Sequence, residues 1–579
     1  MIDDIIETGT AIIRWDVRLT AIASFLLIFI VTQATTFIRS KIALSARDDG
    51  KTPPIEPYSI PVLGNLISFA FNTKPFLGKI IKTYGPNVPV RIRVLNRKIY
   101  FISGSESVLA LFRSSRDLTT VPTAILVLEG AFGSPASVRP AYERDNTGIF
   151  KEPLPGSNNL EPHNRIFHNS HKGLHKTLQG NALIELADRF LKNLEKELSS
   201  LEVGYEWTDV PDIYRIIQET VFRASTEAIC GPHLFKLNPD FVTDFWEFDT
   251  QLPNLFKSIP RWLIPRSFRN RDKLTACIMK WHKFAQEHVD ATDPDLEDVE
   301  WEEYFGARVM RERQKDLGQI DGFTDKALAA SDLGMVWGSN ANIVPIIGWE
   351  ILDVLFRPTV LTQTLHAITE CSSPNLTGVA ALQMSKLVAN PLLQSIYTEE
   401  LRIRNGVIIQ RAPVSEGFKI GRWLFPKDDL ITVSSWHEQR DRSVWNEGPV
   451  NGEFHSVEDF WAERFIVYPN DPNSGPRKPN PNSKVKPQIL GKGEDNKPRF
   501  TADAMTGSFF PYGGGQTICP GRFYAKQEAI GALAMFLTMF DVELKDKEKM
   551  PEPNLDYFPF GVIPPVGKVP VRMRRRRFE

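Results

Sequence analysis

The chain has 579 residues, 42 % hydrophobic and 24 % charged, with 69 basic side chains against 70 acidic ones and a formal net charge of -1. That apolar share can fill a large core, and so even a balance excludes a global basic field of the kind that holds nucleic acid. The four cysteines, Cys230, Cys277, Cys371 and Cys519, stand far apart with no C-x-x-C spacing, which argues against a zinc site or a disulfide framework and suits a reducing compartment.

Residues 19–38, LTAIASFLLIFIVTQATTFI, carry no charge. Twenty helical residues rise about 30 Å, one bilayer core. Arg39, Lys41 and Arg47 follow, whereas Asp3, Asp4, Glu7 and Asp16 precede, partly offset by Arg14 and Arg18. The positive excess places the C-terminal side in the cytosol and residues 1–18 on the lumenal side. A cleaved signal peptide needs a shorter apolar core and a small-residue cleavage site, so the segment reads as a single uncleaved anchor.

Residues 39–66 are basic and then proline-rich, with Pro53, Pro54, Pro57 and Pro61. Proline fixes φ and restricts its predecessor, so the stretch is non-helical; it is a stiff hinge or an ordinary linker. Residues 67–579 read as the globular body. In 88–102 apolar and polar types alternate around Asn96-Arg97, predicting strand, turn, strand. From about 174 to 400 the pattern is mostly helical; LIELADRFLKNLEKEL (183–198) repeats apolar residues at helical spacing. SDLGMVWGSNANIVPIIGWEILDVLF (331–356) is an apolar helix interrupted by Gly338, Ser339, Asn340 and Asn342 and loosened by Pro345. Polar groups there are costly without partners.

TEELRIRNG (398–406) places Glu399 and Arg402 at i, i+3 on one helix face, a pattern that is usually a solvated surface pair. Residues 405–435 read as short strands, and 469–500, rich in Pro, Asn, Lys and Gly, as a long surface loop. The fold class is therefore mainly α with small β-sheets, preceded by one transmembrane helix.

Phe510–Ala525, FPYGGGQTICPGRFYA, carries the chemistry. Gly513, Gly514 and Gly515 permit a tight turn and close approach to a flat ligand. Cys519 follows, and an apolar helix begins at Arg522. Helix-start amides and the positive helix end lower a thiol's pKa. A thiolate is a soft iron ligand that, on haem, pushes electrons towards O–O cleavage. A lone cysteine would read as a buried, inert thiol; the glycine run, Cys-Pro-Gly-Arg and the helix together argue for a ligand.

In this stretch the sequence resembles the cytochrome P-450 superfamily, whose cysteine loop has an aromatic residue seven before the cysteine and glycines four before and two after: here Tyr512, Gly515 and Gly521. Tyr512 replaces the usual phenylalanine, and Thr517 stands where a basic propionate contact is common. The resemblance implies haem b on Cys519, and a buried triad of Glu399, Arg402 and, from FWAERF (460–465), Arg464. In the family's long distal helix an acid and a threonine deliver protons; aligned here, those positions are Ala341 and Asn342. Trp-x-Ser-x-x-Asn-x-x-Pro resembles the branch of cholesterol and oxysterol 7-alpha-hydroxylases and prostacyclin synthase, as do HKTLQGNAL (175–183), FDTQLPNLFKSIPRWL (248–263), TICPGR (517–522) and PPVGKVPVRMR (564–574).

The implied function is a monooxygenase of the endoplasmic reticulum membrane, its catalytic domain cytosolic. It would insert one oxygen atom from O2 into a lipophilic substrate (a sterol, terpenoid or other secondary metabolite) with electrons from NADPH through a reductase. The alternative is a reductase-independent peroxide isomerase of prostacyclin-synthase type; a haem-binding lipid or sterol carrier without turnover is the third reading. Phe132, Phe150, Phe245, Trp246, Phe256 and Trp262 are pocket lining or plain core. Lys172, Lys176 and Arg522 are candidates for steering an acidic reductase surface. The terminal run VRMRRRRFE reads as a solvated tail, with anionic lipid contact as the alternative.

Overall fold

The computed structural model describes residues 2–45, 51–450, 452–479 and 497–577, with side chains from residue 17 onwards except at 504. Two compact units emerge: 1–118 with 409–433, and 119–408 with 434–579.

The first unit opens with helix α1 (Ile2–Ser45), of which Val17–Ser45 is long and apolar enough to cross a membrane. Phe25, Leu26, Leu27 and Ile28 are all exposed. A stretch apolar on every side and exposed along most of its length is a candidate membrane span. Near its C-terminal end a polar face docks: Ser59 Oγ donates to Gln33 Oε1 (2.9 Å), the Tyr58 amide to Thr36 Oγ1 (3.3 Å), and Ser40 Oγ lies 3.1 Å from the Tyr84 hydroxyl. The proline segment is extended and pinned, with Glu56 N–H donating to Arg91 O (2.9 Å) and Arg91 N–H to Pro54 O (2.7 Å). Proline's missing donor confines such a stretch to a sheet edge. The expected hairpin forms between Val90–Val94 and Arg97–Phe101, with Val90 opposite Phe101 and Val94 opposite Arg97. It joins Leu430–Ser434, Ile408–Pro413 and Leu118–Thr119 in a five-stranded sheet.

The second unit is helical around one apolar core that contains Phe222, Phe245, Trp281, Trp349, Ile530 and Phe536. Its site-bearing helices are α2 (Gly180–Ser199), α3 (Ile213–Cys230), α4 (Phe241–Phe256), α5 (Pro265–Gln286), α6 (Arg308–Gly318), α7 (Asp325–Asn340), α8 (Ile343–Leu355), α9 (Pro391–Arg404) and α10 (Arg522–Met539). Helix α8 is buried along its whole length and packs on α3, α9 and α10. An apolar helix without a polar face can only be central. The polar interruption expected inside 331–356 is a real break: α7 ends at Asn340 and α8 starts at Ile343.

The C-terminal arginines are not a tail. Val571–Arg575 is a strand between Phe540–Leu544 and Thr208–Val210. Arg572 meets Glu543, Arg574 and Arg576 meet Asp541, and Arg575 donates to the carbonyls of Ser199 and Val203. Alternation of valine and methionine with arginine is the period-two pattern of a half-buried strand, and it prevails over the charge run. The expected 469–500 loop is flanked by antiparallel Ile466–Val467 and Arg499–Phe500; its part at 480–496 lies outside the described residues.

Candidate active site

The cysteine segment is built by its glycines. Gly513 (φ 74°) and Gly515 (φ 69°) are left-handed, a conformation that side chains resist. They let the chain double back so that the Cys519 amide donates to Tyr512 O at 3.0 Å. Helix α10 then starts three residues on, and Arg522 Nη1 reaches back to Cys519 O (3.0 Å).

Cys519 is exposed, whereas Cys230 and Cys371 are buried and Cys277 is half-buried. Although one side is open, protein crowds the sulfur on the others, and this burial pushes the thiol up; the amides of Gly521 and Arg522 and the Arg522 charge pull it down by less. The lowered thiol expected at a helix start is thus corrected: the lowering contacts exist, but desolvation outweighs them. A thiolate at such a place needs a cation directly beside it, as an iron ligand has. An accessible soft donor, an oriented loop and helix-start amides aimed at the sulfur fit a haem-thiolate.

Behind this loop, Glu399, Arg402 and Arg464 are fully buried. Arg402 Nε and Nη2 donate to Glu399 Oε2 and Oε1 at 2.7 and 2.8 Å, and Arg464 Nε to Oε1 at 2.9 Å. The Trp461 amide adds a fourth donor at 3.1 Å. The guanidinium groups also bond carbonyls: Arg402 those of Gln439 (3.0 Å) and Val457 (2.7 Å), and Arg464 those of Ser456 (2.9 Å) and Asn446. Burial alone would raise the Glu399 carboxyl, but the Arg402 and Arg464 charges hold it below the usual carboxylate range. This is no solvated surface pair; it joins α9 to the 456–464 segment.

On the α7–α8 side, Ala341 is buried and donates its amide to Trp337 O (2.8 Å). Asn342, at the break, accepts the Val562 amide on Oδ1 at 2.9 Å. A Cβ on Gly561 would stand 2.7 Å from that oxygen, so only glycine admits the contact. Trp349 Nε1 donates to Ile563 O at 2.8 Å, and Asn340 Nδ2 to Thr226 Oγ1 at 3.1 Å. The break therefore grips the 557–563 loop.

The aromatic candidates separate. Phe245 and Trp246 pack with Phe222 in the core, and Trp262 is 77 % exposed. Phe132 and Phe256 each lie 5.8 Å from the Trp337 ring, and Phe256 stacks on Phe560 at 5.0 Å. These four rings pack together beside the end of α7; half-buried Phe150 is not among them. Of the steering candidates, Lys176 is paired with Glu312 (2.7 Å) and Arg522 turns back to its own loop, leaving Lys172 exposed.

Three groups were missed. Asp249 on α4 is buried, accepts Trp337 Nε1 at 2.9 Å and takes the Tyr557 hydroxyl. Its signal was an acid in the apolar stripe Phe245, Asp249, Leu252. Glu350 on α8 is buried with neither carboxyl oxygen partnered, and burial holds it well above the usual range. Tyr397 on α9 bonds the Tyr512 hydroxyl.

Burial raises Asp249 from 3.8 to about 6, despite Tyr557 and Trp337. Between those values the folded protein keeps a proton that the unfolded chain has lost, so stability falls as pH rises. The loss reaches about 3 kcal/mol by pH 7. Asp249→Asn cannot titrate and is expected to gain on the parent by that order between pH 4 and pH 7, as read from urea midpoints; a constant difference would contradict the assignment.

A profile of the family described as Cytochrome P450 matches residues 150–451. The chain is similar to the cytochrome P450 monooxygenase fsoE of Humicola fuscoatra, 35 % identical over 94 % of this chain and 92 % of that protein. It is 34 % identical to the cytochrome P450 monooxygenase efuG of Hormonema carpetanum over 96 % of each. Cholesterol 7-alpha-monooxygenase of Cricetulus griseus is 22 % identical over 89 % of this chain and 92 % of that one.

Proposed function

The chain belongs to the cytochrome P450 family of monooxygenases, and on that premise we propose that Cys519 ligates haem b in a membrane-anchored enzyme that oxygenates a lipophilic substrate, a sterol, terpenoid or other secondary metabolite. The observation that carries this reading is the exposed Cys519 at the foot of α10, in a loop backed by the buried Glu399–Arg402–Arg464 triad. When bound, haem supplies O2 activation and transfer of one oxygen atom, using electrons that an NADPH-dependent reductase delivers.

The protein's residues orient and exclude. Gly513 and Gly515 would allow the backbone to lie close to a bound haem, and Gly521 adds no side chain beside the sulfur. The triad keeps α9 and the 456–464 segment fixed behind the loop. Phe132, Phe256, Trp337 and Phe560 present an apolar wall to the substrate. Asn342 has its oxygen committed to Val562, so its amide nitrogen is the donor for ordering a proton-carrying water.

Asn342→Asp keeps the acceptor for Val562 and removes that donor. It is expected to leave substrate spin-shift affinity within about twofold while more NADPH is consumed per product. Full coupling in the variant would refute the water role. Ala341 offers no acid, which also suits peroxide rearrangement; the monooxygenase names of the relatives favour oxygenation. Reduced protein with carbon monoxide should give a thiolate-type Soret band, and product should require NADPH and reductase. Turnover of a hydroperoxide without reductase would reverse the choice.

We place the protein in the endoplasmic reticulum membrane by α1, with the catalytic body cytosolic. The docking of Gln33, Thr36 and Ser40 supports a bilayer segment over 19–38 whose C-terminal end meets protein on one face only.

A further inference from the structure

We propose that Tyr397 is a positioning residue for the axial cysteine: its hydroxyl clamps Tyr512, whose carbonyl oxygen takes the Cys519 amide hydrogen. The inference rests on the reading of Cys519 as the haem ligand.

Three observations carry it. The hydroxyls of Tyr397 and Tyr512 are hydrogen-bonded to each other, and Tyr397 is buried. The Tyr512 carbonyl accepts Cys519 N–H at 3.0 Å. Asn405, just past the end of α9, donates from Nδ2 to Pro511 O at 2.8 Å. Helix α9 thus grips two successive loop residues, 511 and 512, at points eight residues apart on its own chain. The same helix carries Glu399 and Arg402, whose bonds immobilise it. Rigidity passes from the triad through α9 to the hydroxyl pair, then through the Tyr512 peptide to the sulfur. A phenylalanine at 512 has no atom with which to join this chain. A hydrogen-bonded support that locks a ligand's orientation is the general means by which outer residues tune a metal site.

The asymmetry of buried hydrogen bonds supplies the test. Removing one hydroxyl strands the other, whereas removing both leaves an apolar contact of nearly unchanged shape. Tyr397→Phe, Tyr512→Phe and the double variant are made in the full chain. Each single variant should unfold at lower urea than the parent. The double variant should recover the parental midpoint and haem content. If the pair only packs, the double variant then matches the parent in everything, which would overturn the proposal. If it positions the sulfur, the thiolate-type ferrous–CO band of the double variant converts to the form without thiolate about fivefold faster, the factor that one ordinary hydrogen bond carries. The haem midpoint potential should move with it. Should the double variant yield too little haem protein, Tyr512→Phe alone decides: faster conversion supports the clamp, and parity with the parent removes it. A parent with no thiolate band at all would instead refute the ligand assignment.

Discussion

Serine at position 519 is expected to abolish the thiolate-type ferrous–CO band and all turnover while the polypeptide stays folded. The side chain is exposed, and the contacts that shape its loop, Cys519 N–H to Tyr512 O and Arg522 to Cys519 O, use backbone atoms that serine retains. Exchange of one exposed sulfur for oxygen should change stability by no more than about 0.5 kcal/mol. A serine hydroxyl, however, is not a soft anionic donor at neutral pH. Unfolding and haem spectroscopy should therefore separate cleanly. A variant with parental ferrous–CO absorption would end the haem-thiolate account.

Glu399→Gln should be the most destabilising single change in the second unit. One carboxylate balances two guanidinium groups that have no solvent contact. Carbonyl oxygens around Arg402 and Arg464 solvate but do not neutralise them. Removing one partner of a buried ion pair costs about 3–5 kcal/mol, a large share of the 5–15 kcal/mol typical of a folded domain. A urea midpoint and the haem retained after gel filtration report it. The effect also has a pH signature. Because its folded carboxyl is held below the ordinary range, Glu399 contributes stability that is present at neutral pH and is lost as pH falls through that lowered value. The gap between parent and variant should narrow in acid below about pH 4. A gap that does not change with pH would mean the loss is steric rather than ionic.

Legibility followed sequence distance. The cysteine loop could be read because its glycines, sulfur and helix start lie within sixteen residues, and each residue type carries its own backbone or donor chemistry. Glu399 and Arg402 were visible as a helical pair, but only family resemblance supplied Arg464, sixty-five residues away. The carbonyl cage around those arginines carries no side-chain signal and could not be read. The Asp249–Tyr557 contact spans 308 residues, and only a misplaced acid on an apolar helix face hinted at it. The terminal arginines were read in two ways: family resemblance gave 564–574 as a C-terminal strand, which forms at Val571–Arg575, whereas charge density alone suggested a solvated tail, although Val571, Met573 and their arginine neighbours are spaced for a strand. The contact of the Asn342 side-chain oxygen with the Val562 amide, 220 residues away, likewise had no local signal.

The docked end of α1 bears on how the enzyme can be prepared without detergent. Cutting the chain after Ser45 would remove Gln33, Thr36 and Ser40, strand the Tyr58 amide and leave the Tyr84 hydroxyl with only its 3.4 Å bond to Ile55 O. A deletion that stops before Gln33 discards the exposed apolar residues up to Val31 and keeps those contacts, with Phe37, Ile38 and Ile42 still exposed. The shorter trimming should thus give the better-folded protein, whereas a cut at the helix end removes more exposed apolar surface but loses those contacts.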